Sequence, residues 1–369
     1  MDNRVSILIV DDAVTYRIIL KNVIGNIPQA KFVGFAQNGM LAINQTKQLK
    51  PDLILLDIDM PGMDGFETLK KIREFDTTVD IVIVSGQNEQ NAKRTLTTLE
   101  HGALDFIPKP VTDNKNDSET ELFESLIPVI NAVQLRKATG KSSPGSKLTL
   151  RTPQLDPFAP KKSLKLARKL PKSVDVVLIG ISTGGPRALQ DMIPTITPNL
   201  PCPLLIVMHM PPIFTKQLAN KLNDLSKLNI KEAIDGDTIN PRDVLIAPGG
   251  SHMMLKKDGS SVIVSIVDTP PVNNCKPSVD VLFESAAKIY GTNALPVIMT
   301  GMGRDGANGV RRLRENGAYC LIQDEKSCTV WGMPAAIKEA EDYDEEVPLR
   351  ELGQRISQIV LRNPFYKSF

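Results

Sequence analysis

The sequence predicts an α/β protein: two doubly wound parallel sheets in series, joined by a linker. Three observations carry this expectation. Short, continuously apolar runs recur along the chain, as strands covered on both faces require. Amphipathic stretches of helical spacing separate them, the alternation of a doubly wound sheet. Between the two sets, residues 138–172 turn to Pro, Ser, Gly and Lys, the composition of a linker. A length of 369 residues accommodates two full cores.

In the first set, V-S-I-L-I-V (5–10), K-F-V-G-F-A (31–36), L-I-L-L-D (53–57), I-V-I-V-S (81–85) and D-F-I-P-K (105–109) read as strands. Helical patterns such as T-Y-R-I-I-L-K-N-V-I and Q-N-A-K-R-T-L-T-T-L-E lie between them. L-K-L-A-R-K-L, near the end of the linker, has the pattern of a short helix. In the second set the strands are V-D-V-V-L-I-G (174–180), L-L-I-V-M (204–208), D-V-L-I-A (243–247), V-I-V-S-I-V (262–267), A-L-P-V-I-M-T (294–300) and A-Y-C-L-I-Q (318–323). A-L-Q-D-M-I, T-K-Q-L-A-N-K-L, S-V-D-V-L-F-E-S-A-A-K-I-Y and G-V-R-R-L-R are its helices. The divisions that follow are a domain over 4–122, a helix end and flexible linker over 123–172, and a second domain over 173–361.

Composition narrows the function. A hydrophobic content of 41% with 23% charged residues is ordinary for a soluble globular protein. A net charge of +2 makes no case for binding nucleic acid, and no helix-turn-helix is evident. No apolar run reaches membrane-spanning length, and the first residues turn acidic too soon for a signal peptide. A cytoplasmic protein without membrane insertion is expected. The four cysteines, Cys202, Cys275, Cys320 and Cys328, lack metal-type C-x-x-C spacing and read as free thiols of a reducing compartment.

Polar residues at strand ends carry the chemistry, because ligands of open α/β sheets bind at the strand C-termini. Asp11 and Asp12 end the first strand, Asp57 the third, Ser85 the fourth and Lys109 the fifth. Aspartate at such a turn commonly caps the next helix, yet five polar residues at one edge are hard to explain by capping. Three converging carboxylates call for a divalent cation, and Mg²⁺ suits carboxylate oxygens while keeping positions for a phosphoryl ligand. Asp57 then serves as phosphoryl acceptor, with Ser85 and Lys109 holding the transferred oxygens.

In the second domain, G-I-S-T-G places Ser182 in a sharp strand-to-helix turn, the pattern that exposes a serine hydroxyl above a parallel sheet. Such glycine-rich turns also bind phosphate, so a phosphorylation-dependent binding protein with a non-hydrolytic phosphate or nucleotide loop is the alternative. The chain has three histidines. His101 falls on a helix surface of the first domain, His252 is a plausible second-site residue, and His209 follows a strand at the same edge as Ser182. Asp305, in T-G-M-G-R-D-G-A-N-G, is the carboxylate to orient His209, with Asp280 and Asp324 as competitors. The Thr183 and Met302 amides are oxyanion donors by position. The order Ser, His, Asp differs from that of α/β-hydrolases.

Two resemblances follow from these motifs. D-D, L-D-I-D-M-P-G-M-D-G, V-S and F-I-P-K-P resemble a two-component receiver domain, flavodoxin-like in fold. This implies Asp57 as the phosphorylated residue, Mg²⁺ between Asp11, Asp12, Asp57 and the Asp59 carbonyl, Ser85 and Phe106 as switch residues, and Lys109 on the phosphoryl group. Pro110 is a cis-bond candidate. G-I-S-T-G-G-P, H-M-P-P-I-F-T, I-A-P-G-G-S-H-M, K-P-S-V-D-V-L-F-E-S-A-A, T-G-M-G-R-D-G-A-N-G and V-W-G-M-P-A-A resemble the CheB-type chemotaxis methylesterase domain, Rossmann-like in fold. That implies a triad of Ser182, His209 and Asp305. It also implies hydrolysis of glutamate methyl esters on methyl-accepting chemotaxis receptors, with release of methanol, and deamidation of receptor glutamines. A chemotaxis histidine kinase would be the phosphoryl donor, and phosphorylation the activating signal. Met208 stands where many members have Gln, and Asn274-Cys275-Lys276 where His-Arg is commoner; both are expected at the substrate edge.

Overall fold

The computed structural model describes residues 2–111, 115–139 and 169–362. They form two compact units, Met1–Lys147 and Leu148–Phe369. None of the described helices is long and apolar enough to cross a membrane. The pattern L-K-L-A-R-K-L lies almost wholly outside the described residues.

The first unit runs β1 (Val5–Val10), α1 (Val14–Gly25), β2 (Ala30–Ala36), α2 (Gly39–Leu49), β3 (Leu53–Asp57), α3 (Gly65–Phe75), β4 (Asp80–Ser85), α4 (Glu89–Glu100), β5 (Asp105–Pro108) and α5 (Lys115–Thr139). The strands form one sheet, β2-β1-β3-β4-β5, with every pair parallel. Three helices begin on a polar cap: before α2, α3 and α4 the side chains of Asn38, Asp64 and Asn88 accept from the amide three residues on, those of Leu41, Glu67 and Asn91, whereas α1 follows Ala13, which offers none. β1 and β3 are neighbours although β2 lies between them in sequence. The chain reverses its winding there, which opens a crevice at the strand C-termini. The boundary expected at 122 falls inside α5, whose Leu126, Val129, Ile130 and Val133 belong to the same core as β1 and β3. The Lys109–Pro110 peptide, a cis candidate, is trans, the ordinary preference of an X–Pro bond; the cis bond among the described residues is Lys276–Pro277.

The second unit runs β6 (Val176–Ile181), α6 (Gly185–Met192), β7 (Leu204–Met208), α7 (Pro212–Leu225), β8 (Asn229–Glu232), β9 (Asp243–Ile246), β10 (His252–Asp258), β11 (Ser261–Val267), α8 (Val279–Tyr290), β12 (Ala294–Ile298), α9 (Ala307–Glu315), β13 (Leu321–Gln323), α10 (Met333–Glu339), β14 (Glu345–Val347) and α11 (Leu349–Val360). Its seven-stranded parallel sheet has the order β14-β13-β12-β6-β7-β9-β8. The strand expected at 262–267 is β11. It pairs with β10 in an antiparallel hairpin outside this sheet, and the hairpin is tied to α8 by the Leu255 amide donating to Ser285 Oγ at 3.0 Å. The winding reverses between β6 and β12, so the turns after these two strands share a crevice.

Candidate functional sites

In the first unit, four elements deliver polar groups to one edge. Asp11 follows β1, Asp57 ends β3, Ser85 ends β4 and Lys109 follows β5. Lys109 Nζ lies 2.9 Å from Asp11 Oδ2 and 2.8 Å from Asp57 Oδ2. The Lys109 amide donates to the Ser85 carbonyl at 2.7 Å, which fixes the two strand ends together. Ser85 is fully buried and accepts from Thr95 Oγ1 at 2.9 Å; Phe106, in β5, is also buried. Burial lifts the Asp57 carboxyl to about 6, opposed by the Lys109 ammonium and reinforced by the Asp11 carboxylate. The same two carboxylates raise the Lys109 ammonium against the burial that disfavours it.

One oxygen each from Asp11, Asp12 and Asp57 lie within 4.8 Å of one another. Three carboxylates facing one ammonium leave an excess of negative charge, and a hard divalent cation fits that donor set. The Asp59 side chain turns elsewhere, bonded to Asn91 and, at 2.8 Å, to Arg94.

The second site gathers at the switch between β6 and β12. Ser182 follows β6 and His209 follows β7, and the residues before them, Ile181 and Met208, are register partners. The Ser182 amide donates to the Thr300 carbonyl at 2.9 Å, and the Gly185 amide to the Ser182 carbonyl at 2.7 Å, closing a tight turn. Gly184 has φ +74°, and a Cβ there would lie 2.3 Å from Thr329 Oγ1, so the turn requires glycine.

His209 Nε2 lies 2.8 Å from Asp305 Oδ2. A carboxylate only accepts, so Nε2 carries the hydrogen and Nδ1 is left as the basic nitrogen. Nδ1 faces the Cys275 thiol at 3.6 Å; among the described residues the Ser182 hydroxyl is not hydrogen-bonded to the ring.

Asp305 is 2% exposed and densely satisfied. Oδ1 accepts from Ser278 Oγ (2.7 Å), Asn273 Nδ2 (2.9 Å) and the Asp280 amide (3.3 Å), and Oδ2 from the Val279 amide (2.6 Å). The carboxylate thus sits on the N-terminus of α8, where backbone amides and the helix dipole favour an anion. Burial opposes ionisation, but His209, Asn273 and Ser278 outweigh it and hold Asp305 below the usual carboxylate range. Burial would also depress His209; its hydrogen bond to the Asp305 carboxylate, and then Cys275, lift it to about 9.

The competitors have other partners. Asp280 is buried and accepts from the Gly309 amide at 2.7 Å and from Asn273 at 2.9 Å, while Asp324 binds Ser327. His252 is fully buried: Nδ1 accepts from the Ser278 amide at 3.1 Å and Nε2 donates to the Pro270 carbonyl at 3.1 Å. It is a positioning residue for the loop that carries Cys275 and Ser278. His101 caps α4 at the surface, bonded to the Thr97 carbonyl at 3.0 Å. Neither the Thr183 nor the Met302 amide donates to another described residue, which leaves both available as oxyanion donors.

Met208, expected at the substrate edge, is 2% exposed and packs beneath α6 against Gly185; β7 alternates sides, so it points opposite to His209. The residues missed from sequence are Asn273, Ser278 and the α8 amides. The signal was present in K-P-S-V-D, where a serine precedes an apolar helix start, but its partner is a carboxylate 27 residues away.

The CheB methylesterase family matches residues 177–356, and the response regulator receiver domain matches residues 7–118. A protein-glutamate methylesterase/protein-glutamine glutaminase of Desulfotalea psychrophila is 39% identical over 362 residues, 96% of this chain and 98% of its own. The protein of the same name from Thermotoga maritima is 36% identical over 359 residues, 97% and 99% of the two chains. Among solved structures, the Thermotoga maritima CheB methylesterase catalytic domain is similar with a TM-score of 0.50 and 39% identity, covering 51% of this chain and all 100% of that one.

Proposed function

Because this chain belongs to the CheB methylesterase family, with a response regulator receiver domain ahead of the hydrolytic one, we propose specific roles for its site residues. It is a protein-glutamate methylesterase and protein-glutamine glutaminase acting in chemotaxis. Its substrates are methyl-accepting receptors, its phosphoryl donor is a chemotaxis histidine kinase, and it works in the cytoplasm. The alternative of a non-hydrolytic phosphate loop at Ser182 is set aside, since the relatives are hydrolases and Ser182 stands beside an oriented histidine.

The observation that carries the mechanism is the 2.8 Å bond from His209 Nε2 to a buried Asp305, in register beside Ser182. It leaves Nδ1 to take the Ser182 proton as Oγ attacks the ester carbonyl. Asp305 stabilises the imidazolium that forms. The Thr183 and Met302 amides hold the oxyanion, each worth about 3 kcal/mol. His209 returns the proton to the departing methoxide, methanol leaves, and a water deprotonated by Nδ1 hydrolyses the acyl-serine to glutamate. An amide loses a poorer leaving group, so deamidation is the slower reaction.

In the receiver, Asp57 accepts the phosphoryl group. Asp11, Asp12, Asp57 and the Asp59 carbonyl would hold Mg²⁺, which neutralises charge on the transferring group when bound. Lys109 contacts the phosphoryl oxygens, and Ser85 and Phe106 shift with them, raising the hydrolytic rate. The test is methanol release from methylated receptor, with and without Mg²⁺ and a small acyl-phosphate. A rate raised by the donor in wild type but not in Asp57→Asn is expected. A rate indifferent to the donor would refute the regulatory assignment, and no release at all would refute the hydrolytic one.

A further inference from the structure

Cys275 has no part in the hydrolytic mechanism, yet it faces the nitrogen on which that mechanism depends. Its sulfur lies 3.6 Å from His209 Nδ1 and 3.4 Å from the Asn273 carbonyl. The thiol is held by a two-residue turn. Asn273 and Asn274 have φ of +54° and +60°, and the amides and carbonyls of Val272 and Cys275 bond reciprocally at 2.9 and 3.1 Å. Both His209 and Cys275 are partly exposed, so solutes reach them.

The spacing matches that of two ligands on one metal ion. Zn–S of about 2.3 Å and Zn–N of about 2.0–2.1 Å, at a tetrahedral angle, separate sulfur from nitrogen by about 3.6 Å. The supporting contact is also present. A metal-bound histidine usually donates its second N–H to a carboxylate, which fixes the tautomer and makes the free nitrogen a better ligand. His209 Nε2 does this to Asp305, whose oxygens are otherwise taken up by Asn273, Ser278 and the α8 amides. Asp305 is therefore an outer partner, and the inner ligands are one imidazole and one thiolate. Soft sulfur beside imidazole selects zinc-like ions over Mg²⁺.

We propose that Cys275 and His209 form a binding site for a thiophilic divalent cation, Zn²⁺ in the first instance, and that its occupation silences the hydrolase. Binding uses the Nδ1 lone pair and sends the thiol proton to solvent. With that lone pair engaged, His209 no longer accepts the Ser182 proton. The inhibitory half of this proposal rests on His209 being the catalytic base; the binding half does not.

The experiment uses the full chain and the metal ions alone. Co²⁺ is titrated into wild type, Cys275→Ser, Cys328→Ser and Ser182→Ala, and thiolate-to-cobalt absorption is recorded before and after adding Zn²⁺. The band is expected in wild type, Cys328→Ser and Ser182→Ala, bleached by Zn²⁺, and absent from Cys275→Ser. Co²⁺ at the receiver carboxylates has no thiolate and adds no such band. Methanol release is then measured against Zn²⁺, each variant relative to its own zinc-free rate. Half-inhibition should need at least about tenfold more Zn²⁺ in Cys275→Ser, since loss of an inner ligand costs no less than the loss of an outer partner. A band that survives in Cys275→Ser, or one lost in Cys328→Ser, would overturn the site. Equal zinc sensitivity of wild type and Cys275→Ser would overturn the inhibition. A cobalt band in a protein that releases no methanol would keep the metal site and remove the esterase assignment.

Discussion

The pH–rate profile tests the hydrolytic site most directly. His209 is lifted to about 9 by Asp305 and Cys275 acting against burial. The reaction needs its neutral form, so at pH 7 the protonated form, which cannot act as base, predominates. The logarithm of kcat/KM, which reports the free enzyme, should therefore rise with unit slope from pH 6 and level off near pH 9. The same shift stabilises the fold. A histidine whose folded pKa lies above its unfolded one contributes fully below about 6.5, and the contribution fades as pH rises through about 9. The shift corresponds to about 3 kcal/mol. Rate and stability should thus move in opposite directions across this window. The assay is methanol release from methylated receptor at fixed ionic strength, corrected for uncatalysed hydrolysis, beside chemical unfolding at each pH. In Cys275→Ser the kinetic midpoint should fall, because one of the groups raising the pKa is gone while Asp305 remains. A wild-type profile flat between pH 6 and 8, or a midpoint at or below 6.5, would refute the ion pair as the controlling feature.

Three further outcomes are expected. Ser182→Ala should lower methanol release by about 10³-fold or more, since triad members act as a unit; retention of a tenth of the wild-type rate would sink the nucleophile assignment. Chelating Mg²⁺ should abolish stimulation by an acyl-phosphate yet leave the unstimulated rate in place, and Asp57→Asn should behave the same way; stimulation that survives either change counts against the carboxylate site. A receiver fragment ending at 122 should be unfolded while one ending at 139 folds. The first lacks Leu126, Val129, Ile130 and Val133, four aliphatic side chains no more than 3% exposed, worth about 6–12 kcal/mol together. That approaches the whole stability of a domain, and equal unfolding midpoints for the two fragments would show the end of α5 to be dispensable.

The strands of both sheets were legible where both faces are buried, because burial there demands unbroken Val, Ile and Leu. β8 (N-I-K-E) and β14 (E-E-V) were not, since each lies at a sheet edge with a single residue buried. β11 was read as a strand, but apolar periodicity does not tell a hairpin partner from a sheet member. Pro128 inside α5 breaks the pattern that would have announced a helix to 139. The polar edge of the first sheet was legible because Asp11, Asp57, Ser85 and Lys109 each end or follow a different strand. So were Ser182 and His209, for the same reason.

Asp305 was readable only as one of three carboxylates, and the reason lies in what holds it. Its partners, Asn273, Ser278 and the first amides of α8, come from the start of α8 and from the segment between it and the β10–β11 hairpin, far from Asp305 in sequence. That segment looks like an ordinary turn followed by an ordinary helix. Folded, it supplies both the donors that keep Asp305 ionised and the thiol that faces His209 Nδ1. His252 ties it down through Ser278 and Pro270. One loop therefore sets the two influences that raise the His209 pKa. Loosening it at His252 should lower the kinetic midpoint without touching Ser182, whereas a change confined to the Ser182 turn should leave that midpoint in place. Separating those two effects in a pH profile distinguishes a loop that tunes the base from one that merely covers it.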